Sequence, residues 1–194
     1  TERVFSTYDN REITVSGGTY GWLIDQPKET DALYQAILDK KTQVREPIYA
    51  QEAASRDTND IGYSYVEVNL TDRRLVFYRN GTPVVDTGIA ISSSTPDGVY
   101  SIGEKKARQT VGNMTTDSWM FFTDDLGIYG DPGLNVSTVS DSAEDSFESA
   151  ADTDFGSDLT SWSGTGGCIV LPADAAQELY RNVETGIPVV IYKF

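Results

Sequence analysis

Apolar and polar residues alternate along much of the chain from residue 63 onward. In the run 65–70, Tyr, Glu and Asn alternate with Val, Val and Leu, and a second apolar run follows at 75–78. A period of two is typical of half-buried strands, and the Asn80-Gly81 pair after these runs is a strong signal for a two-residue hairpin. The same reasoning predicts further strands at 84–91, 99–102, 119–122, 126–129 and 188–192.

The apolar pattern just before the closing strand has the period of a helix instead. Pro172 precedes it as a helix start, and Gly186 follows it as a C-terminal stop. Four apolar residues recur at i, i+3, i+4 and i+7 and so share one helical face: Ala176, Leu179, Tyr180 and Val183.

Residues 1–56 carry a mixed pattern that predicts a small α+β domain. Strand patterns near residues 4–5 and 13–15 are followed by a helix signal, in which Asp25 is suited to the N-cap and Pro27 to the first turn. The apolar residues at helical spacing in this first helix are Leu33, Ala36 and Ile37.

Residues 60–194 are predicted to form a second, mostly β domain with one helix near its end.

An acidic insertion interrupts the second domain at about residues 131–162. No Lys or Arg occurs between Arg108 and Arg181, and seven acidic residues lie among Ser, Ala and Thr at 141–158. Such a segment is too polar to pack a core of its own, so we expect an exposed excursion. Its run D-x-D-x-G-x-D at 152–158 loosely resembles a calcium loop. Ser163 stands where the bidentate Glu would be, which favours a solvated acidic loop.

Composition excludes several classes of protein. The chain has 194 residues, 39% of them hydrophobic and 23% charged, as is typical of an ordinary globular protein. The net charge of −15 argues against nucleic-acid binding, because no basic surface is available to neutralise phosphates. The single cysteine excludes an intrachain disulfide, and no apolar run approaches the ~20 residues that a membrane-spanning helix needs.

The order of several motifs resembles the L,D-transpeptidase catalytic domain, also called the YkuD domain. The hairpin segment 65–81 resembles the opening of that domain, TPDGVY at 95–100 its TPxGxF turn, and GCIVLP at 167–172 its nucleophile segment. In the first part, GGTYGW at 17–22 and REPIY at 45–49 are similar to the peptidoglycan-binding domain that precedes it in Gram-positive bacteria. The chain is identified as a histidine-less, degenerate member with part of that preceding domain.

The resemblance implies a mostly β sandwich with a C-terminal helix that cross-links peptidoglycan. In that chemistry a cysteine thiolate attacks a donor stem peptide, and the acyl-enzyme passes to an amine of an acceptor stem. It implies stem peptides and carbapenem-type inhibitors as partners, no metal or organic cofactor, and a location outside the membrane of a Gram-positive bacterium. Because the sequence starts at Thr1 without a signal peptide, we expect the anchor to lie outside it. We also expect a monomer.

The resemblance assigns the site residues as well. Cys168 is the expected nucleophile, and Gly167 precedes it as in the family. Family members carry one histidine where Gly166 stands and their general base where Tyr129 stands, whereas this chain contains no histidine. An unassisted thiol with a pKa near ~8.5 is only a few per cent thiolate at neutral pH, and a phenol with a pKa near ~10 is a poor base.

Two functions stay open at this point. One is an L,D-transpeptidase that forms an acyl-enzyme on Cys168 but is weakly active or inactive. The alternative is a non-catalytic peptidoglycan-binding or scaffolding pseudoenzyme. Asp131 is the nearest carboxylate that could replace the missing base, although its pKa would have to rise by several units. Three tryptophans could stack on sugar rings or simply pack in the protein: Trp22, Trp119 and Trp162.

Overall fold

The computed structural model describes four stretches of the chain: residues 2–56, 59–111, 114–134 and 166–194. Residues 135–165, which hold most of the acidic insertion with its calcium-like run and Trp162, lie outside the described residues. Within the described stretches the helices are α1 (Gln26–Leu38) and α2 (Ala173–Asn182). The strands, in chain order, are β1 (Glu2–Ser6), β2 (Glu12–Ser16), β3 (Leu23–Ile24), β4 (Tyr49–Gln51), β5 (Tyr65–Asn69), β6 (Arg74–Arg79), β7 (Thr82–Gly88), β8 (Ala90–Ile91), β9 (Gly98–Ser101), β10 (Lys105–Val111), β11 (Met114–Phe121), β12 (Gly127–Asp131), β13 (Ile169–Pro172) and β14 (Pro188–Tyr192).

Two five-stranded sheets form a sandwich. Sheet 1 has the strand order β7-β6-β5-β14-β9, and sheet 2 has the order β10-β11-β12-β13-β8. Each sheet contains one parallel pair, β5 with β14 in sheet 1 and β12 with β13 in sheet 2. The prediction of a mostly β sandwich with a C-terminal helix, preceded by a small α+β unit, is confirmed.

The main core lies between the two sheets and α2. Alternate residues of β5 and β6, among them Val66 and Phe77, meet residues of β12 and β13, among them Ile128 and Leu171. Helix α2 adds its predicted apolar face, in which Ala176 and Leu179 are fully buried. Because successive side chains of a strand point to opposite faces, this core takes every second residue and leaves the other half of each strand for a different surface.

The predicted hairpin at Asn80-Gly81 is confirmed. These two residues connect β6 to β7, and both have positive φ values, 50° and 77°. Positive φ at both central positions is the mark of a type I′ turn, whose twist matches that of the flanking strands.

The predicted single strand over 84–91 is wrong. Strand β7 ends at Gly88 in sheet 1, and β8 begins at Ala90 in sheet 2, so the chain changes sheets at Ile89. Ile89 is buried in the main core, and its N–H donates to the carbonyl of Arg73 at 2.9 Å. The apolar alternation continues across this crossing, which is why the pattern alone did not separate the two strands.

The prediction that Gly186 ends the second helix is also wrong. Helix α2 ends at Asn182, and Gly186, with a φ of 92°, lies in the turn before β14. Cationic side chains satisfy the last carbonyls of α2 instead. Lys105 Nζ donates to the carbonyls of Tyr180 and Val183 at 2.6 and 2.7 Å, and Arg79 donates to that of Asn182. Cations are favourable at this end of a helix because of its dipole.

The N-terminal hairpin, formed by β1, β2 and their turn, covers the outer face of sheet 1. Its Phe5 and Val15 pack on Val190 and Tyr192 of β14 in a second apolar cluster. Arg3, which is 4% exposed, forms an ion pair of 2.6 Å with Asp60. Strands β5 and β14 are therefore buried on both faces, which explains the uninterrupted apolar run of β14.

A backbone contact joins the segment after this hairpin to sheet 1. Gly18 forms an isolated bridge with Val99 of β9. A β-carbon on Gly18 would lie 1.9 Å from the carbonyl oxygen of Val99, and the φ of Gly18 is +78°. Only glycine fits this position.

Helix α1 begins as predicted but buries none of its residues. The Asp25 carboxylate caps it by accepting from the N–H of Lys28 at 3.1 Å. Ala36 is half-buried, whereas Leu33 and Ile37 of the predicted apolar face are 50% and 74% exposed. The spacing therefore located the helix correctly, but the described residues place no core against this face.

We predict that Lys105→Met lowers the free energy of unfolding by about 1–3 kcal/mol, because hydrogen bonds from a charged donor to two helix carbonyls are lost. Unfolding in urea, followed by tryptophan fluorescence, measures the change. The matched control is Lys106→Met on the same strand, whose exposed ion pair with Glu104 is expected to contribute less than about 1 kcal/mol. Equal losses in both variants would contradict the capping role of Lys105.

Candidate active site

The parallel pair β12–β13 brings Cys168 and Tyr129 to the same face of sheet 2. In this pair Ile128 is opposite Ile169 and Tyr129 is opposite Val170. Cys168 immediately precedes β13, so it lies level with Gly127. Ile128 and Ile169 point into the main core, whereas Tyr129, Cys168 and Val170 share a separate cluster on the other face. The candidate site therefore lies on the outer face of sheet 2.

Aromatic rings fill most of this outer face. Trp119 stacks on Tyr129 with ring centroids 4.5 Å apart and an interplanar angle of 14°. Phe121 also stacks on Trp119, with ring centroids 5.2 Å apart. Trp119 and Tyr129 are each 1% exposed, and Leu126 packs beside them. The thiol therefore lies among apolar groups, where a charge is poorly solvated.

Cys168 is buried, and its surroundings disfavour the thiolate. The residue is 6% exposed. Burial raises the pKa of the Cys168 thiol, and a hydrogen bond from the backbone N–H of Gly127 opposes this rise only in part. Among the described residues, no cationic group lowers this pKa. The protonated thiol, which is not the nucleophilic form, is thus favoured at neutral pH.

Tyr129 cannot take over the role of a general base near neutral pH. Burial, followed by the negative charges of Cys168 and Asp131, raises the pKa of the Tyr129 phenol above its ordinary value. A phenol already titrates near ~10 in water, so a further rise keeps it protonated. Tyr129 lies close enough to Cys168 for their charges to interact, but its protonated phenol is a hydrogen-bond donor and not a base.

Gly166 and Gly167 lie against the turn that carries Ser94. An ideal β-carbon on Gly166 would be 2.9 Å from Ser94 Oγ, and one on Gly167 would be 3.0 Å from the Ser94 carbonyl oxygen. Ser94 Oγ also forms a hydrogen bond of 2.8 Å with Ser92 Oγ. The φ of Gly167 is +115°, in the left-handed region that favours glycine. Ser94 thus occupies the space that a side chain at residue 166 would need.

Asp131 is too far along its strand to serve the thiol. It pairs with Pro172 at the opposite end of β13, four residues beyond the level of Cys168, which corresponds to about 13 Å along the strand. Its Oδ1 accepts from the N–H of Gly133 at 2.7 Å. Asp131, which is the last residue of β12 and not part of a loop, is therefore not positioned to act as a base for Cys168.

Neither of two surface grooves is lined by Cys168. One, of about 680 Å³, lies between β7 and the start of α2, and the other, of about 460 Å³, lies between residues 52–64 and the turn before β14. Within the described stretches, no three Cys, Asp or Glu side chains converge as a metal site would require. No described helix is long and apolar enough to cross a bilayer.

Three contacts at the candidate site were not predicted from the sequence. Of the two roles open to Trp119, sugar stacking and packing, the structure shows packing, against Tyr129. The backbone N–H of Gly127 donates to the sulfur of Cys168. Ser94 occupies the space beside Gly166. If the predicted strands at 119–122 and 126–129 are paired, the alternation of their side chains puts Trp119 and Tyr129 on one face, so this contact could have been predicted. No comparable signal in the sequence indicates the contact of Ser94, which depends on how two loops meet.

We predict that iodoacetamide alkylates Cys168 at pH 7 at least about tenfold more slowly than it alkylates the same cysteine in the unfolded protein. Burial blocks access, and the raised pKa lowers the thiolate fraction below the few per cent of a free thiol. The rate should still be rising with pH above pH 9. Mass spectrometry over time measures the reaction, with protein in guanidinium chloride as the control. A rate that levels off below pH 7 would reveal a stabilised thiolate and contradict this prediction.

Comparison with known proteins identifies the family of this chain. Residues 63–191 match the model of the L,D-transpeptidase catalytic domain. A cysteine-to-serine mutant of the Enterococcus faecium L,D-transpeptidase is similar over 99% of this chain and 74% of its own, with 27% identity and a TM-score of 0.71. The Ldtfm–avibactam carbamoyl enzyme is 28% identical over 99% of this chain and 73% of its own, with a TM-score of 0.66. None of the curated proteins matches the chain. Since the family model covers well over half of the sequence, the chain belongs to the L,D-transpeptidase (YkuD) catalytic domain family.

Proposed function

We propose that this chain is a cell-wall protein of the L,D-transpeptidase family that binds peptidoglycan stem peptides with little or no turnover. The single observation behind this proposal is the state of the nucleophile position. Cys168 is buried, its pKa is raised, and its neighbour at the family's base position is a phenol whose pKa is raised as well. Acyl transfer needs a thiolate to attack and an acid or base to move protons, and the described residues provide neither near neutral pH.

Binding does not require the groups that catalysis requires. We infer that a member of this peptide cross-linking family can still recognise stem peptides without the proton-transfer residues, because recognition depends on the surface around the site and not on those groups. The N-terminal part, which resembles a peptidoglycan-binding domain, is proposed to add contacts to the glycan or its stems. Both roles imply a location outside the cytoplasmic membrane of a Gram-positive bacterium.

A second candidate function is slow acyl transfer through Cys168. The N–H of Gly127 lowers the thiol pKa in part, and backbone N–H groups are the usual donors to the oxyanion of an acyl intermediate. The Ldtfm relative is described as a carbamoyl enzyme formed with avibactam, so an activated carbonyl group is a suitable probe of this chain too. Carbapenems are the corresponding probe that the family resemblance suggests.

We predict that the purified protein co-sediments with peptidoglycan sacculi and that Cys168→Ala binds equally well. Binding that does not depend on the thiol is expected because the sulfur is buried and makes no exposed contact. Quantitative sedimentation of both proteins, with sacculi stripped of stem peptides by an amidase as the control, measures this. Absence of binding by the native protein would contradict the proposed function, and loss in Cys168→Ala alone would favour the second candidate.

We predict that activity toward a carbapenem appears when Tyr129→His and Gly166→His are combined with Ser94→Ala. The two histidines place an imidazole at each of the two positions where the family carries one. General acid–base catalysis by such groups typically raises the rate by roughly 10²–10⁴-fold. Ser94→Ala removes the oxygen that lies 2.9 Å from the β-carbon position of residue 166. Adduct formation on Cys168, followed by mass spectrometry, is the measurement.

The matched control for this experiment carries Ser93→Ala in place of Ser94→Ala. Ser93 is an exposed neighbour in the same turn, and its substitution leaves the Ser94 oxygen where it is. We expect that control to react more slowly than the Ser94→Ala protein. Rapid acylation of the native protein, without any substitution, would show that the missing histidines are dispensable and would overturn the assignment of low turnover.

A further inference from the structure

A buried carboxyl group lies where the N-terminal hairpin meets sheet 1. Glu67 is on β5 and is 1% exposed. Its Oε1 accepts two hydrogen bonds, one from the backbone N–H of Tyr8 in the hairpin turn at 2.8 Å and one from the Tyr192 hydroxyl of β14 at 2.7 Å. One oxygen atom of Glu67 therefore connects the hairpin to the sheet.

The other oxygen of Glu67 is buried without a hydrogen bond. Within the described part of the chain, Oε2 has no hydrogen-bond partner and almost no contact with solvent. A buried carboxylate needs either a countercharge or several donors, whereas a neutral carboxylic acid needs much less. Burial accordingly raises the pKa of Glu67, although the hydrogen bonds from Tyr192 and Tyr8 lower it in part.

The surrounding charges do not supply a countercharge. Arg74 of β6 is the nearby cation, but its guanidinium is engaged by Asp86 at 2.6 Å. Asp9 of the hairpin turn adds a negative charge that raises the pKa of Glu67 further. The titratable and charged groups that face Glu67 are Tyr8 and Asp9 from the hairpin turn, Tyr65 from β5, Arg74 and Tyr78 from β6, and Tyr192 from β14.

We propose that Glu67 is a proton-controlled latch that holds the N-terminal hairpin on sheet 1 when it is protonated and loosens the hairpin when its proton is released to solvent. Opening the hairpin would expose the carboxyl group to water, where an unperturbed glutamate titrates near ~4.3. The docked state binds the proton more tightly than the open state. Docking is therefore strongest below the pH at which the exposed carboxyl titrates, and it weakens as the pH rises toward the higher pKa of the docked group.

Amide hydrogen exchange of β1 and β2 across pH 4 to 8 tests this latch. After correction for the intrinsic exchange rate, we expect protection of the hairpin relative to β5 and β14 to fall by up to about tenfold per pH unit above pH ~4.5. Glu67→Gln keeps the size of the side chain but does not titrate, so its hairpin protection should not depend on pH. The matched control is Glu12→Gln, an exposed glutamate on β2, which should retain the dependence of the native protein.

Two outcomes would overturn the proposal. One is hairpin protection that is flat with pH in the native protein, and the other is an unchanged pH dependence in Glu67→Gln. A direct measurement covers the case in which Glu67→Gln folds poorly: the carboxyl carbon of Glu67 is followed by NMR titration of the native protein. Titration at the ordinary value for glutamate would refute the latch. Tyr192→Phe, which removes a hydrogen bond that favours the carboxylate, should move the titration to higher pH.

Discussion

The alternation of side chains along two central parallel pairs determines how this molecule is organised. Strands β5 and β14 in sheet 1, and β12 and β13 in sheet 2, each present one set of residues to the shared core and the other set to an outer face. On sheet 1 the outer set packs under the N-terminal hairpin. On sheet 2 the outer set includes Tyr129 and Cys168. A shift of one residue in the register of a strand would turn its core residues to the outer face and its outer residues to the core.

This constraint explains how the core fixes the position of the candidate site. The position of the thiol depends on Ile169 and Leu171, which anchor β13 in the core, and not on the identity of residues 129 or 166. Tyr129 packs against Trp119 on this outer face. Ser94 Oγ lies 2.9 Å from the position that a β-carbon on residue 166 would take. The outer face around the thiol is thus occupied by side chains that pack well, and the Tyr129 phenol among them stays protonated near neutral pH.

Much of the fold could be predicted from the sequence, because period-two runs, the Asn80-Gly81 turn and the Asp25 cap depend on local chemistry. The predictions failed where the decisive contact is distant in sequence. Strand β10 was missed because its residues alternate little in polarity, and the end of α2 was misplaced because Lys105 and Arg79 cap it from other strands. At the site, the resemblance proposes which residues matter, but the burial of the thiol depends on how Trp119 and Leu126 pack around it, which the sequence does not indicate.

The glycine bridge between residue 18 and Val99 has a consequence for how the two parts of the chain can vary. The segment after the hairpin touches β9 backbone to backbone, and β9 directly follows the turn whose Ser94 borders Gly166. A chimera that joined this sandwich to a different N-terminal domain would lose that bridge unless the new domain also had a glycine at the position of Gly18. The leading unit and the sandwich are therefore expected to be inherited as a matched pair rather than exchanged as independent modules.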